Sequence, residues 1–340
     1  MADAEKRKPP DKSRRAVILA TVGIVVIMGV AAFTGAVVLP LWGTHRVLRG
    51  YRNHASGLDP EKTVARLGGP QHAMSRLLAY QRLPGWLKPR RSNATFVLGG
   101  CGACAVPALI EALADTDEEV RGAAGAALAW IGPEAKAAVP ALAHALRDTE
   151  PDVRFCAGWA LGDIGPEARE AVPALTKTLG DAKSRVRYCA AWALGEMGSE
   201  AKAAVPALIE ALADTDDDVR MNTAKALGRI GPEAKEAVPA LLEALDDMYV
   251  IVRWYAARAL GEIGPKGKEV VPALAKALSD EDVRVRETAA AVLGDIGPEA
   301  KEAVPALEKL LKDKNVDVRP IAAAALKKIR GEGEEKSDGE

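Results

Sequence analysis

Apolar residues recur along this chain in two alternating patterns, and both return at one constant interval. The first pattern is Ala-Val-Pro-Ala-Leu, which becomes Val-Val-Pro-Ala-Leu in one copy. The second pattern begins with Val-Arg, as at Val120 and Arg121, and continues with a Leu and then an Ile or Met. Seven copies without insertion or deletion indicate a repeat array. The evenly spaced prolines of the first pattern are Pro107, Pro140, Pro173, Pro206, Pro239, Pro272 and Pro305.

Both patterns predict α-helices. In one copy of the second pattern, apolar residues fall at i, i+4, i+8 and i+11, namely Val153, Ala157, Leu161 and Ile164. This spacing puts them on one side of a helix, which the Gly-Pro dipeptide after Ile164 then ends. The first pattern starts another helix, because proline is tolerated at a first helical position. We call the two the arginine helix and the proline helix. Neither hides its apolar stripe alone, so the pairs are predicted to stack as an α-solenoid.

Composition divides the chain into five predicted segments. Residues 1–15 form a basic tail, and residues 16–39 carry no charge. Residues 41–100 hold ten Lys and Arg against two acidic residues, and we interpret them as a juxtamembrane segment with a degenerate capping repeat. Residues 101–330 are the seven repeats, and residues 331–340 are predicted to be a disordered acidic tail.

The uncharged segment 16–39 predicts a transmembrane helix. As a helix it would span about 36 Å, enough to cross a bilayer. Trp42 follows at the expected interface. A cleaved signal peptide and a buried helix are the alternatives; the first has a shorter apolar region and a small-residue cleavage site, which is not clear here.

The flanking charges predict the orientation of that helix. Six Lys and Arg residues precede it, whereas Arg46, Arg49 and Arg52 follow. Positive residues favour the cytoplasmic side, so the N-terminus is predicted to be cytoplasmic and the repeats extracytoplasmic.

The overall net charge of −1 hides a segregation of charge. Residues 41–100 carry +8, whereas residues 101–330 carry about −8. Nucleic-acid binding needs clustered Lys and Arg to neutralise phosphates, so the acidic repeats argue against it.

The repeat unit resembles a known family. The stretch DVRFCAGWALGDIGPEAREAVPALTKTL, from Asp152 to Leu179, is similar to the short HEAT-like repeats first named from phycobilin lyases. The Thr-Pro-Leu-His motif of ankyrin repeats and the aromatic spacing of tetratricopeptide repeats are absent. The resemblance covers about two-thirds of the chain. It implies a right-handed, all-α solenoid and is nearly silent on activity, because such arrays host several functions.

The resemblance also implies which side of the arginine helices lines a concave surface. Six of the eight aromatic residues after Pro107 lie on that side, and Trp130 lies there one turn later. Exposed aromatic clusters favour partner binding, but packing of the rings on one another would also explain them. We define the aromatic face as Trp130, Phe155, Trp159, Tyr188, Trp192, Met221, Lys225, Trp254, Tyr255 and Arg258.

These observations predict a membrane-tethered scaffold, a monomeric solenoid that binds a peptide or protein segment on the aromatic face, with no cofactor, metal or catalytic residue. The alternative is an enzyme or chromophore-handling protein that uses the same groove, as in the HEAT-like lyases. Deoxyhypusine hydroxylase, which shares this repeat type, binds iron through His-Glu pairs. The four histidines here are His45, His54, His72 and His144. None precedes a glutamate, so that activity is not expected.

The remaining reactive residues are interpreted as structural. Seven equivalent Asp and Arg residues favour an Asp–Arg ladder that bridges neighbouring loops and caps helix ends. Cys156 and Cys189 occupy equivalent positions on adjacent helices, whose separation of about 8–10 Å is too large for a disulfide. Cys101 and Cys104 form a Cys-x-x-Cys for which packing is expected, with redox chemistry as the alternative.

Overall fold

The computed structural model describes residues 102–264 and 270–332, and these form seven pairs of helices without a strand among them. The proline helices are α1 Val106–Ala112, α3 Val139–Ala145, α5 Val172–Thr178, α7 Val205–Ala211, α9 Val238–Ala244, α11 Val271–Ala277 and α13 Val304–Leu310. The arginine helices are α2 Glu118–Ile131, α4 Pro151–Ile164, α6 Ser184–Glu196, α8 Asp217–Ile230, α10 Val250–Ile263, α12 Val283–Ile296 and α14 Val318–Arg330. The predicted all-helical solenoid is confirmed for this part of the chain.

Several predicted segments lie outside the described residues. They are the basic tail 1–15, the uncharged segment 16–39, the region 41–100 and all of the acidic tail beyond residue 332. Within 102–264 and 270–332, no helix combines the length and the apolar character that a bilayer crossing requires. The transmembrane helix therefore stays a prediction.

The apolar stripes form the core as the periodicity predicts. Val153, Ala157, Leu161 and Ile164 are all buried. The leucine of each proline motif and the leucine of each arginine helix are buried as well, in every one of the seven copies. Burial of a leucine side chain stabilises a fold by about 1.5–3 kcal/mol, so the repeated leucines account for much of the cohesion between layers.

A short 3₁₀ helix follows most of the arginine helices. Gly132 ends α2 with a φ of 70°, a value that favours glycine, and the chain continues as a 3₁₀ helix over Gly132–Ala138. Ala135 and Ala138 of this segment are buried. The Gly-Pro dipeptide predicts the end of the arginine helix, whereas the 3₁₀ helix that follows was not predicted from the sequence.

Six Arg–Asp pairs join consecutive repeats. Each arginine donates two hydrogen bonds from its guanidinium to the aspartate 27 residues later, with N–O distances from 2.6 to 3.1 Å. The third guanidinium nitrogen donates to a backbone carbonyl of its own loop, that of the aspartate before the helix. The predicted ladder is present, and each arginine connects two loops. The pairs are Arg121–Asp148, Arg154–Asp181, Arg187–Asp214, Arg220–Asp247, Arg253–Asp280 and Arg286–Asp313.

The capping part of that prediction needs a correction. The ladder aspartates accept the backbone N–H two residues later, inside the loop, as Asp148 does from Glu150. The arginine helices are capped instead by the residue at that later position where it is aspartate, namely Asp117, Asp216 and Asp282. The ladder carboxylate is therefore positioned by an Asx turn, and a different side chain caps the N-terminus of the arginine helix.

The ladder shifts the ionisation of its members. The hydrogen bonds from Arg121 hold the pKa of Asp148 below its usual value, and Arg286 does the same for Asp313. Burial has the opposite effect, and taken alone it raises the pKa of Asp181, Asp214 and Asp247. Hydrogen bonds from the arginine and from a backbone N–H outweigh it, so the net direction of the pKa is downward at Asp181, Asp214 and Asp247. These carboxylates are therefore held in the ionised form.

Glycines let successive arginine helices approach closely. A Cβ atom on Gly195 would lie 2.9 Å from the Cα of Ala226, and one on Gly294 would lie 2.9 Å from the Cα of Ala325. Real Cβ atoms essentially never come so close to backbone. The Leu-Gly dipeptides that recur near the end of the arginine helices are thus required for packing, which the sequence argument missed.

Candidate functional site

The aromatic face is built mainly on two positions that lie four residues apart on each arginine helix. This spacing places the two side chains one turn apart on the same side of the helix. Tyr255 follows Trp254, and Trp130 lies near the end of α2 with 38% of its surface exposed. The pairs are Phe155 and Trp159 on α4, Tyr188 and Trp192 on α6, Met221 and Lys225 on α8, and Trp254 and Arg258 on α10.

Two aromatic pairs are in direct contact. The ring centroids of Phe155 and Trp159 are 5.9 Å apart with an angle of 60° between the planes. Those of Trp254 and Tyr255 are 4.6 Å apart at 50°. These tilted arrangements are the ones that aromatic quadrupoles favour. All four rings are half-buried, so each keeps a surface open to solvent.

Contacts with the neighbouring helix hold other parts of the aromatic face in place. The Trp192 ring lies against Gly162 of α4, where a Cβ would come within 2.3 Å of Cζ3. The indole Nε1 of Trp254 donates a hydrogen bond of 3.1 Å to the Thr288 hydroxyl on α12. Packing between repeats, the second explanation considered for these aromatics, therefore does occur. It leaves Trp159, Trp192 and Trp254 only partly buried.

Two arginines cover rings of the aromatic face, and neither was predicted from the sequence. The guanidinium of Arg185 lies 3.8 Å from the Phe155 ring centroid, and that of Arg284 lies 5.5 Å from the Trp254 ring. Each is the first residue of an Arg-Val-Arg sequence whose second arginine belongs to the ladder. This extra arginine, two residues before the ladder arginine, is the sequence feature that could have predicted the contact with a ring. A cation over a ring contributes about 0.5–1 kcal/mol at an exposed site.

Repeat four interrupts the aromatic face. Met221 is only 9% exposed, so it offers little surface to a partner, contrary to its expected place in the groove. The adjacent Asn222 is also buried, and its Nδ2 donates to the Asp218 carbonyl at 3.0 Å. Only Lys225 continues the face here. The structure therefore divides the aromatic face into an aromatic part on α2, α4 and α6 and a cationic part on α8 and α10, where Lys225 and Arg258 are accompanied by Trp254 and Tyr255.

The cationic part has a specific electrostatic environment. Burial is the largest cause that lowers the pKa of Lys225, and the nearby Arg229 and Arg258 lower it further. Arg229 pairs with Glu196, and Arg258 pairs with Glu262 at 2.8 Å. Lys225 itself makes no ion pair within the described residues, so an acidic group at this point would gain a charge partner.

A shallow depression extends the face beyond Arg258. It is lined by Arg258, Glu262, Glu287, Thr288 and Ala291, together with residues at the start of α14 and at the end of α12. In the described part of the chain, no group of three or more His, Cys, Asp or Glu side chains could hold a metal ion.

The structure agrees with the prediction for Cys156 and Cys189 and disagrees with it for Cys104. Cys156 and Cys189 form no disulfide, as the helix spacing predicts. Burial raises the pKa of the Cys156 thiol to about 11 and that of Cys189 still further. The Cys189 thiol donates to the Phe155 carbonyl at 3.4 Å. Cys104 is exposed, so the expectation that it packs in the core was wrong, because the short 3₁₀ helix Gly102–Ala105 turns it outward. Cys101 lies outside the described residues.

Comparison with known families identifies the repeats. The family model for HEAT repeats matches residues 89–154, 106–169, 139–204, 200–248 and 238–327. Together these matches cover more than half of the chain and include every described helix pair except the end of the last one. Among curated proteins, none matches the chain.

Solved structures show the same architecture. An engineered protein is 28% identical with a TM-score of 0.59, over 79% of this chain and 80% of its own. YIBA of E. coli is 22% identical with a TM-score of 0.54, over 77% of this chain and 95% of its own. The archaeal HEAT-like repeats protein from Thermococcus onnurineus NA1 is 16% identical with a TM-score of 0.50, over 66% and 97%. The last two likenesses concern the fold alone.

Proposed function

This chain belongs to the family of HEAT-repeat proteins, and on that premise we propose that it is a membrane-tethered scaffold that binds a peptide or protein segment on the aromatic face. The observation that carries the proposal is a set of aromatic side chains on one side of α4, α6 and α10 that are held by contacts and are still partly open to solvent, namely Phe155, Trp159, Trp192, Trp254 and Tyr255. Repeat scaffolds of this kind use long surfaces rather than single pockets.

The restricted mobility of the aromatic rings supports the binding of a partner. Trp and Tyr are the preferred residues of binding hot spots, and they bind best when little conformational freedom remains to be lost. Trp192 is held by its contact with Gly162, and Phe155 is held by Trp159 and Arg185. A partner would therefore cover rings that are already ordered.

The arrangement of helices supports an inward-curving surface. Successive arginine helices pack directly on one another, whereas successive proline helices make few direct contacts. A stack of repeats that is more closely spaced on the side of the arginine helices curves towards that side, and the aromatic face belongs to these helices.

The order of side chains along the array defines the kind of ligand. The second position of each pair is Trp159, Trp192, Lys225 and Arg258 in successive repeats. Packed helices lie about 8–10 Å apart, and an extended chain advances about 3.3 Å per residue, so about three ligand residues correspond to one repeat. We expect an extended segment with apolar side chains at α4 and α6 and an acidic side chain near Lys225.

The membrane tether is a separate part of the proposal and rests on the sequence of residues 16–39. We expect the repeats to lie on the extracytoplasmic side. Protease added to intact cells should then digest residues 102–332 while the N-terminal tail stays protected. Protection of the repeats would overturn the orientation.

The short and constant repeat length also supports the phycobilin-lyase type of HEAT repeat. Lyase activity or chromophore handling in the groove stays an alternative prediction. Adding a linear tetrapyrrole to the purified protein tests it by absorbance, and binding that depends on Trp159 and Trp192 would favour it over a peptide ligand.

The binding proposal is tested by selecting ligands from a displayed library of short random peptides on the full chain in detergent. We expect selected peptides to combine apolar residues with an acidic residue on one side of them. The double substitution of Trp159→Ala and Trp192→Ala should weaken their binding at least about tenfold, as loss of a hot spot does. Lys225→Glu should remove the preference for the acidic residue.

A matched control is Leu311→Ala, which removes an exposed apolar side chain outside the aromatic face. It should leave peptide affinity unchanged, and all variants should keep the helical circular dichroism signal. Selection of no peptides, or equal affinity of the double variant and the wild type, would overturn the proposal.

A further inference from the structure

The loop between α9 and α10 differs from every other loop at the same place in the array. Two large apolar side chains are exposed there, with 82% of Met248 and 43% of Tyr249 open to solvent. We call these two residues the edge patch, and it is specific to one repeat of seven. In the other repeats the first two residues after the ladder aspartate are Thr116-Asp117, Thr149-Glu150, Ala182-Lys183, Thr215-Asp216, Glu281-Asp282 and Lys314-Asn315.

The fold does not need apolar side chains at this place. The Asp247 carboxylate accepts the backbone N–H of Tyr249 at 2.8 Å, as Asp214 accepts that of Asp216 at 2.9 Å. The ladder pair made by Asp247 likewise matches the pairs made with polar loops. The repeats thus provide an internal comparison, in which the same backbone forms with Thr-Asp in place of Met-Tyr.

Contacts of the neighbouring residues keep the edge patch on the protein surface. Val250 and Ile251, which follow it, are half-buried against the core and fix the loop from the C-terminal side. On the other side the Arg220 guanidinium lies 5.5 Å from the Tyr249 ring centroid. Arg220 also forms an ion pair with Asp247, and this pair keeps its guanidinium in place beside the Tyr249 ring. Because the fold does not require them, contact with a partner is the better explanation for these two adjacent exposed apolar side chains.

The surroundings of the edge patch are acidic. Asp216, Asp217 and Asp218 come just before Arg220, within about one helical turn of the residue whose guanidinium reaches the Tyr249 ring. Asp217 and Asp218 make no ion pair with any residue in the described ranges. Burial is the main cause that raises the pKa of Asp218, and the charges of Asp217 and Asp216 raise it further. On the other side of the patch, the Glu281 side chain is 84% exposed and pairs with Arg253 at 3.1 Å, and Arg253 also donates to the Met248 carbonyl at 3.4 Å.

From this combination we infer that the edge patch binds a basic segment of another protein, one in which an apolar side chain is flanked by Lys or Arg. The apolar side chain covers Met248 and Tyr249, and the cations meet the carboxylates of Asp217 and Asp218. Charge complementarity selects this partner, because an acidic segment would be repelled by these two carboxylates. The inference is independent of the proposed function, since the aromatic face prefers an acidic ligand.

The test uses methionine methyl groups as reporters. Full-length protein in detergent, labelled with ¹³C at its methionine methyls, is titrated with the synthetic peptide Gly-Lys-Arg-Leu-Lys-Arg-Gly, blocked at both ends. The Met248 signal should shift saturably, whereas that of the buried Met197 should not. The same peptide with Glu in place of each Lys and Arg should produce no shift.

Variants then separate the contributions that the apolar residues and the carboxylates make to peptide binding. Met248→Thr with Tyr249→Thr removes the apolar surface without adding a charge, and it should weaken binding of the fluorescently labelled peptide about tenfold without changing the thermal midpoint. Asp217→Asn with Asp218→Asn should weaken it several-fold and flatten its salt dependence. Val316→Asp, which alters an exposed apolar side chain in the loop of repeat seven, should leave binding unchanged.

The outcomes distinguish this inference from the proposed function. The variant with Trp159→Ala and Trp192→Ala should keep its affinity for the basic peptide. A Met248 signal that stays fixed up to millimolar peptide, or shifts equally with the glutamate peptide, overturns the inference. So does a signal that moves with protein concentration alone, because the patch would then be a contact between copies of this chain.

Discussion

Arg220 and Asp247 lie 27 residues apart and join two repeats through paired hydrogen bonds of 2.7 and 3.1 Å. Only 11% and 12% of their side chains are exposed. The same arginine donates to the Asp214 carbonyl at 2.7 Å, so one guanidinium connects two loops. Because the contact recurs at each junction between the described repeats, it fixes the register of one helix pair on the next.

Breaking one ladder pair should therefore destabilise the array. We expect Asp247→Asn to reduce the free energy of unfolding by about 3 kcal/mol, because a buried guanidinium is left without its counter-charge. Asp246→Asn is the matched control, since it removes an adjacent pair with Lys276 whose side chains are 62% and 70% exposed. That change should cost no more than about 1 kcal/mol. Equal effects in chemical denaturation would contradict the buried role of the ladder.

Stability should depend on pH in the acidic range. Five ladder aspartates have a folded-state pKa below that of the unfolded chain, so the unfolded state binds more protons on acidification; they are Asp148, Asp181, Asp214, Asp247 and Asp313. Their contribution is fully present above the unfolded pKa of about 4 and is lost as pH falls through the lower folded values. The thermal midpoint should thus stay level from about pH 7 to about 5 and fall below about 4. A midpoint that rises on acidification would contradict this sign.

The close approach of arginine helices predicts opposite effects of one substitution at two sites. Gly195→Ala should destabilise the protein by about 1–3 kcal/mol, because the new methyl group meets the Ala226 backbone. Gly122→Ala should instead stabilise it by about 0.5–1 kcal/mol, since its Cβ would lie 4.0 Å from the nearest Val153 methyl and alanine favours a helix. Thermal unfolding of the two variants gives the comparison, and a stabilising Gly195→Ala would refute the packing argument.

The two cysteines of α4 and α6 should react slowly. With a pKa of about 11, the Cys156 thiol is ionised to only about one part in a thousand at pH 8, and only the thiolate is nucleophilic. Cys189 is buried and has a pKa that is raised more. In a variant with Cys101→Ser and Cys104→Ser, a chromogenic disulfide reagent should find no fast thiol at pH 8 and two thiols after denaturation. A rapid reaction in the folded protein would show that α4 and α6 separate readily.

The repeating unit could be predicted from the amino-acid pattern without any structure. The spacing of Val153, Ala157 and Leu161 follows the helical period, and the constant interval between repeats copies every contact along the array. The ladder was predictable for the same reason, since a charge pair repeated seven times can only be shared between equivalent neighbours. Burial of these residues could be predicted because each unit stacks on a neighbour with the same pattern.

The extent to which each side chain on the aromatic face is covered depended instead on the assembled fold. Met221 and Trp254 occupy the same position of the repeat, yet one is buried and the other remains half-open. Their difference depends on which residues the adjacent helices bring within reach, and on glycines such as Gly162 that make room for a ring. Helical periodicity fixes the direction of a side chain, whereas the distance to the neighbouring repeat fixes its exposure. For this reason the exposed Met248 and Tyr249 became visible only in the stacked array.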